Sequence, residues 1–133
     1  MKDFQIFLLL LIFIPSVMQA QVELDIDKDR IYAGKEGFRE AWRNIKKGDD
    51  YYGMETKTGY QAALNFYQKA YDYNSNVPEL NYKLGACYLH SHEKYKALQY
   101  LNEAWKQKPE IAPDILLLKA RALQYHYEFE EAI

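Results

Sequence analysis

Cysteine is nearly absent from this sequence, since Cys87 is the only one among 133 residues. A single cysteine cannot form a disulfide within the chain, so a folded domain must be stabilised by its apolar core. Glycine and proline are also scarce, with six and four copies, and no glycine-rich loop that could bind a phosphate group is present. The formal net charge is only −2, which argues against a surface that binds nucleic acid.

Residue types that support catalysis or metal binding are few and poorly placed. Outside the first twenty residues the serines are Ser75 and Ser91, and neither lies in a nucleophile-elbow sequence. His90 and His92 flank Ser91, but no third ligand follows at a metal-binding spacing. Cys87 lies on a predicted helix, where a small buried thiol packs well. The sequence therefore predicts a protein that is not an enzyme and that holds neither a metal nor a cofactor.

Long hydrophobic runs are missing too, apart from one near the N-terminus. Ile6–Ile14 is apolar throughout and follows Lys2. Nine residues at ~1.5 Å each span about half of a ~30 Å hydrocarbon core, so a permanent membrane helix is not expected. Ala20 supplies the small residue that signal peptidase prefers. The pattern predicts a signal peptide over 1–20, an exported chain from Gln21, and no transmembrane helix after cleavage. An uncleaved anchor is the alternative.

The sequence does contain a recurring arrangement of small and bulky residues. The same steps of four and three residues occur in two triplets, and the second triplet follows the first after 34 residues. The triplets are Ala63-Tyr67-Ala70 and Ala97-Leu101-Ala104. Ahead of the second triplet lie Leu84, Gly85 and Tyr88, and Pro109 follows it. Generic amphipathic helices would not produce a recurrence of small residues at this distance.

These positions resemble the tetratricopeptide repeat (TPR), a 34-residue unit of two antiparallel helices, A and B. The resemblance implies an all-α fold, a short right-handed α-solenoid of about 2.5–3 repeats over 35–133, after an extended lead-in at 21–34. Gly85 is expected to face Ala97 where helices A and B cross, and Gly48 is expected to take the same small site in the first repeat. An ordinary three-helix or four-helix bundle is the alternative.

The third repeat is expected to be incomplete. Helices are predicted near 35–53, 59–73, 78–90, 93–107 and 113–126, with a last one from about 128. Ala120 and Leu123 would take the small and bulky sites, and Ala132 would begin helix B. The sequence ends inside that helix, which predicts a longer protein. Leucines on 113–126 are then expected to be partly exposed, so that the chain alone is marginally stable or self-associates. Those leucines are Leu116, Leu117, Leu118 and Leu123.

The resemblance also implies a binding surface, because helix A of each repeat lines the concave face in this family. The candidate partner-binding residues carried over are Trp42, Ile45, Asp49, Tyr52, Tyr82, Leu89, Leu117, Arg121 and Tyr125. Neighbouring positions on the same face are Gly53, Glu79, Ala86, His90, Asp114 and Gln124. Carboxylate-clamp TPRs use Lys and Asn where this chain has Ile45 and Asp49. The aromatic groove suits an apolar or extended protein or peptide partner. Alternatively, its rings pack against the lead-in.

A narrower resemblance covers almost all of the chain after residue 21. The segments Asn81–Gly85 and Tyr127–Phe129 resemble the N-terminal TPR region of certain Gram-negative envelope proteins. In those proteins a β-propeller and a peptidoglycan-binding OmpA-like domain follow, and some are linked to type IX secretion and gliding. The resemblance implies a periplasmic or outer-membrane-associated scaffold that binds proteins. The alternative is a module that recruits substrate for an exported enzyme whose catalytic domain lies beyond Ile133.

Overall fold

The computed structural model describes residues 24–133, and every regular element in that range is helical. The α-helices, in chain order, are α1 (Lys28–Ile31), α2 (Phe38–Tyr52), α3 (Lys57–Tyr73), α4 (Pro78–Leu89), α5 (Ala97–Gln107) and α6 (Ile115–Ala132). A 3₁₀ turn, Lys94–Lys96, leads into α5. None of these helices is both long and apolar enough to cross a membrane. The predicted signal peptide lies outside the described residues.

The helices pack as successive hairpins in one stack. α2 packs against α3, and α4 packs against α5. The two hairpins meet through α3 and α4, and α6 then packs on α5, on the 3₁₀ turn and on α4. The predicted all-α repeat architecture, a short α-solenoid, is confirmed. The helices predicted up to residue 107 agree with α2 to α5 within a few residues.

Both predicted triplets lie in the core and identify the second helix of each hairpin. All six side chains are fully buried: Ala63, Tyr67, Ala70, Ala97, Leu101 and Ala104. In α3 and α5 alike, the three residues fall on one helix face because steps of four and three return to the same side. Their burial confirms the repeat register that the 34-residue spacing predicted.

Glycine is required where the two helices of each hairpin come closest. A Cβ at Gly85 would lie 2.6 Å from Leu101 Cδ2, and a Cβ at Gly48 would lie 3.0 Å from Tyr67 Cζ with other ring carbons nearer still. The small site of the first repeat is therefore at Gly48, as predicted. The nearest neighbour of Gly85, however, is Leu101 and not Ala97, because the bulky residue of α5 fills the space that the missing side chain leaves.

Turn residues set the ends of several helices. Thr56 caps α3 by accepting a hydrogen bond at Oγ1 from Gly59 N at 3.0 Å, and Pro78 occupies the first turn of α4. Gly37 has a left-handed φ of 95°, so α2 begins at Phe38 and not near residue 35. Ser91 stabilises the turn that follows α4. Its hydroxyl donates to Tyr88 O at 2.8 Å and accepts from Glu93 N at 3.0 Å.

The third repeat differs from the prediction. α6 runs without a break to Ala132, so no second helix begins near residue 128. No glycine or proline lies between 120 and 132 to end the helix. The predicted small site was also wrong, because Ala120 is exposed and Ala122 is fully buried. Residues two apart point to nearly opposite sides of a helix. The same shift leaves Leu123 exposed.

The lead-in is not simply extended. Asp27 caps the short helix α1 by accepting a hydrogen bond at Oδ1 from Asp29 N at 2.9 Å. Leu24, Ile26 and Ile31 are buried and belong to the same apolar core as the hairpins. Residues 24–31 of the lead-in therefore belong to the folded domain.

Candidate functional site

Two of the predicted partner-binding residues are inaccessible. Ile45 is 0% exposed and lies three residues before Gly48, on the face of α2 that packs against α3. Tyr82 is 7% exposed, and its hydroxyl donates to Asp114 Oδ1 at 2.8 Å. Their predicted exposure on a binding face was wrong, because Ile45 shares the core stripe of its helix and Tyr82 bridges α4 to the start of α6.

Asp49 and Tyr52 take part in a partly buried network between the two hairpins. Asp49 Oδ1 accepts a hydrogen bond from Tyr67 Oη at 2.8 Å and pairs with Lys83 Nζ at 2.7 Å. The Lys83 ammonium also lies 5.5 Å from the centre of the Tyr52 ring, within cation–π range. Burial, followed by the Asp49 charge, raises the pKa of Tyr67 well above its usual range. The Asp49 carboxylate is therefore already paired within the domain.

Glu79 does not extend the groove either, because its side chain is 6% exposed. Glu79 Oε1 accepts hydrogen bonds from Arg30 Nη1 at 3.2 Å and from Lys108 Nζ at 3.1 Å. Arg30 belongs to α1, so the lead-in covers this end of the predicted groove. This contact involves the Glu79 carboxylate and not a ring, so the alternative in which the groove rings pack against the lead-in stays a prediction.

What remains open to solvent on this side is a cleft of about 230 Å³ between α4 and α6. We call it the α4–α6 cleft. It is lined by Ala86, Leu89, His90, Lys94, Leu118, Arg121 and Tyr125. Five of these seven were predicted to lie on the concave face, and the structure brings them together from two successive repeats. Lys94 and Leu118 were not predicted. Leu118 falls outside the positions that the repeat register assigns to the concave face, and no feature of the sequence distinguishes Lys94 from other surface lysines.

The α4–α6 cleft carries positive charge over an apolar floor. Lys94 Nζ lies 4.7 Å from the centre of the Tyr125 ring, and the His90 ring stacks on Tyr60 with centroids 4.3 Å apart. Partial burial, then the positive charges of Arg121 and Lys94, lower the pKa of His90. Among residues 24–133 neither Arg121 nor Lys94 takes part in an ion pair.

Two further predicted residues lie outside the cleft. Leu117 is 61% exposed on α6. Trp42 is half-buried on α2, and Lys46 Nζ lies 4.5 Å from the centre of its ring. Of the nine candidates, the structure thus gathers Leu89, Arg121 and Tyr125 in one place.

A second cavity of about 230 Å³ lies on the other helices, between α3 and α5. Its lining is mostly polar: Tyr71, Ser75, Asn76, Gln99, Tyr100, Glu103 and Gln107. The Tyr100 hydroxyl already donates to Gln68 Oε1 at 3.2 Å. Sequence reasoning did not predict this cavity, because side chains from three segments must meet to form it.

Comparison with protein families identifies the repeat. Residues 60–122 match the family model described as tetratricopeptide repeat. The segment 60–122 is therefore a tetratricopeptide-repeat region. The match begins in α3, spans the α4–α5 hairpin and ends in α6. No curated protein and no solved structure matches the chain. TPR units are protein-interaction modules, and the α4–α6 cleft lies between the first helices of two successive units.

The remaining side chain with potential reactivity, the Cys87 thiol, lies in the core of the repeats. Cys87 is fully buried on α4, and burial raises the pKa of its thiol well above the usual range. A thiol in these surroundings is a poor nucleophile. Within the described residues no three His, Cys, Asp or Glu side chains group as a metal site would need.

Proposed function

We propose that the chain is a non-catalytic scaffold that binds a protein or peptide in the α4–α6 cleft. The observation that supports this proposal is the convergence of Leu89, Arg121 and Tyr125 from two successive repeats. The cleft combines half-buried aliphatic and aromatic surface with two cations that form no ion pair among the described residues. This combination is typical of a recognition site. The neighbouring residues Asp49, Tyr82 and Glu79 are occupied within the domain, so the partner's contacts centre on the cleft.

The proposed location is the periplasm or the outer membrane. The apolar segment Ile6–Ile14 and Ala20 support export. The resemblance to the N-terminal TPR region of OmpA-family envelope proteins supports an envelope partner. Mass spectrometry of envelope fractions should then find a chain that starts at Gln21. Recovery of the intact N-terminus from cytosol would contradict the proposed export.

The binding site is tested by photo-crosslinking in the cells that make the protein. A photoreactive phenylalanine analogue replaces Tyr125, which is half-buried in the cleft, or Asn102, which is exposed on α5. We expect one discrete crosslinked protein from position 125 and none from the matched position 102. Equal crosslinking from both positions would reject the cleft as the site.

A further inference from the structure

We infer that the α4–α6 cleft recognises a side-chain carboxylate, so that the partner is an extended segment with Asp or Glu beside an apolar or aromatic residue. This inference rests on the proposed function and adds the chemistry of the partner. It draws on the two cations of the cleft, on the neighbouring acidic groups and on the apolar floor.

The two cations come from separate elements and face the same cleft. Lys94 lies on the 3₁₀ turn and Arg121 on α6. Both line the same cleft as His90, whose pKa is lowered by partial burial and then by these two charges. The cleft therefore carries the positive charges of Lys94 and Arg121.

The acidic groups nearest to these cations along the chain are engaged elsewhere. Glu93 pairs with Lys96. Asp114 accepts a hydrogen bond from Tyr82, and Glu128 accepts one from Gln124 Nε2 at 3.0 Å. Lys94 and Arg121 are thus left to attract an anion from outside the domain. Charge complementarity indicates an acidic partner.

The floor of the cleft strengthens this attraction and adds a second requirement. Ala86 is 8% exposed, and Leu89, Leu118 and Tyr125 are half-buried. A carboxylate that binds against such surface is partly shielded from water, so each charge interaction gains strength. The same surface favours an apolar side chain next to the acidic one.

A side-chain carboxylate fits better than the free C-terminus of a partner. One way of capturing a chain terminus uses a cluster of free backbone N–H groups. Here the backbone N–H of His90 donates to Cys87 O at 3.1 Å, and that of Ser91 donates to Tyr88 O at 2.9 Å. The cleft offers side-chain cations instead, and a guanidinium such as that of Arg121 can bind a carboxylate with two parallel hydrogen bonds.

The experiment is a selection of random peptides, displayed with blocked termini, on the full chain. Enriched peptides are synthesised with an amidated C-terminus, and fluorescence anisotropy measures their binding to the chain and to its variants. Arg121→Gln and Lys94→Gln remove one charge each from the cleft. Lys106→Gln is the matched control, because Lys106 is exposed on α5 and lies outside the cleft. Far-UV circular dichroism verifies that each variant is folded.

We expect enriched peptides that contain Asp or Glu next to an apolar residue. Arg121→Gln should weaken their binding by about tenfold, which is the loss of one charge-assisted contact at ~1.4 kcal/mol. Lys106→Gln should leave the affinity unchanged. A peptide with the acidic residue changed to Lys should bind Arg121→Glu better than it binds the unmodified chain.

Other outcomes would overturn the inference. Enriched peptides without acidic residues, or equal affinity for Arg121→Gln, would reject carboxylate recognition and leave the proposed scaffold function standing. Binding that requires a free peptide C-terminus would show that the cleft recognises a terminal carboxylate and not a side-chain carboxylate. A selection that enriches no peptide would remove both the inference and the proposed peptide-binding function.

Discussion

Replacing Gly85 by alanine should destabilise the chain although alanine is the better helix former. Gly85 lies inside α4, where alanine would ordinarily stabilise a helix by about 0.5–1 kcal/mol. The added Cβ would lie 2.6 Å from Leu101 Cδ2 and closer still to Cγ. Leu101 is fully buried, so its side chain has little room to move away. Overpacking of this kind costs about 1–3 kcal/mol. The expected net destabilisation is about 0.5–2 kcal/mol.

A double-mutant cycle isolates the contact between the two residues. Leu101→Ala alone should cost about 2–5 kcal/mol through the cavity it leaves. In that background the overlap is gone, so Gly85→Ala should become stabilising by about 0.5–1 kcal/mol. The resulting coupling of about 1–3 kcal/mol is measurable by urea unfolding followed by circular dichroism at equilibrium.

The control is Gly53, at the end of α2 with φ of −65°. A Cβ there would meet no side chain within 4 Å, and its nearest neighbour would be Asp49 O at 3.3 Å. The effect of Gly53→Ala on the free energy of unfolding should therefore be the same with Leu101 and with Ala at position 101. If Gly85→Ala stabilises the chain to the same extent in the unmodified background and in the Leu101→Ala background, the two helices do not approach each other at Gly85. The proposed repeat register would then be refuted.

Three further predictions concern charged and reactive groups. Lys83→Met should lower the free energy of unfolding by about 2 kcal/mol. This is less than the ~3–5 kcal/mol lost when a fully buried pair is broken, because Asp49 keeps partial contact with water. An unchanged urea midpoint would show that the pair contributes nothing to stability. Partial burial, then the charges of Arg121 and Lys94, lower the pKa of His90, so an NMR pH series should place it below the usual histidine value and Arg121→Gln should raise it. Since the folded state then binds the proton less tightly than the unfolded state, the His90 contribution destabilises the fold as pH falls through the unfolded pKa. Cys87 should react with a thiol reagent only on unfolding, because burial raises its pKa and blocks access; rapid labelling of the folded chain would contradict the buried position.

The sequence predicted the repeat well where small residues recur. Gly48 and Gly85 both lie at helix crossings. Spacing carries this information because a helix crossing tolerates only a small side chain, whatever surrounds it. The prediction of the groove was less successful. Ile45 and Tyr82 were assigned to the concave face by register alone, and burial depends on neighbours that register does not describe.

Charged residues were the hardest to interpret from the sequence. Lys83 and Glu79 would ordinarily be assigned to solvent, yet both side chains are nearly buried. Their partners, Asp49 for Lys83 and Arg30 for Glu79, lie 34 and 49 residues away along the chain. Pairing at such distances cannot be recognised without the fold. The cations of the α4–α6 cleft were obscured for the same reason, because Lys94 and Arg121 meet only when the 3₁₀ turn packs on α6.

The contrast between α4 and α6 explains why the prediction failed mainly in the third repeat. α4 is covered on nearly all sides, and every residue from Pro78 to Tyr88 is buried. α6 is buried on one side, through Ile115 and Ala122, yet it keeps exposed leucines at 116, 117 and 123. An interior helix of a stack is apolar all round, so its periodicity does not indicate which face meets which neighbour. The sequence of α6 has this interior character, whereas partial exposure of its leucines was predicted because the third repeat was expected to be incomplete. The spacing assigned the small site to Ala120, and packing on α4 and α5 buries Ala122 instead.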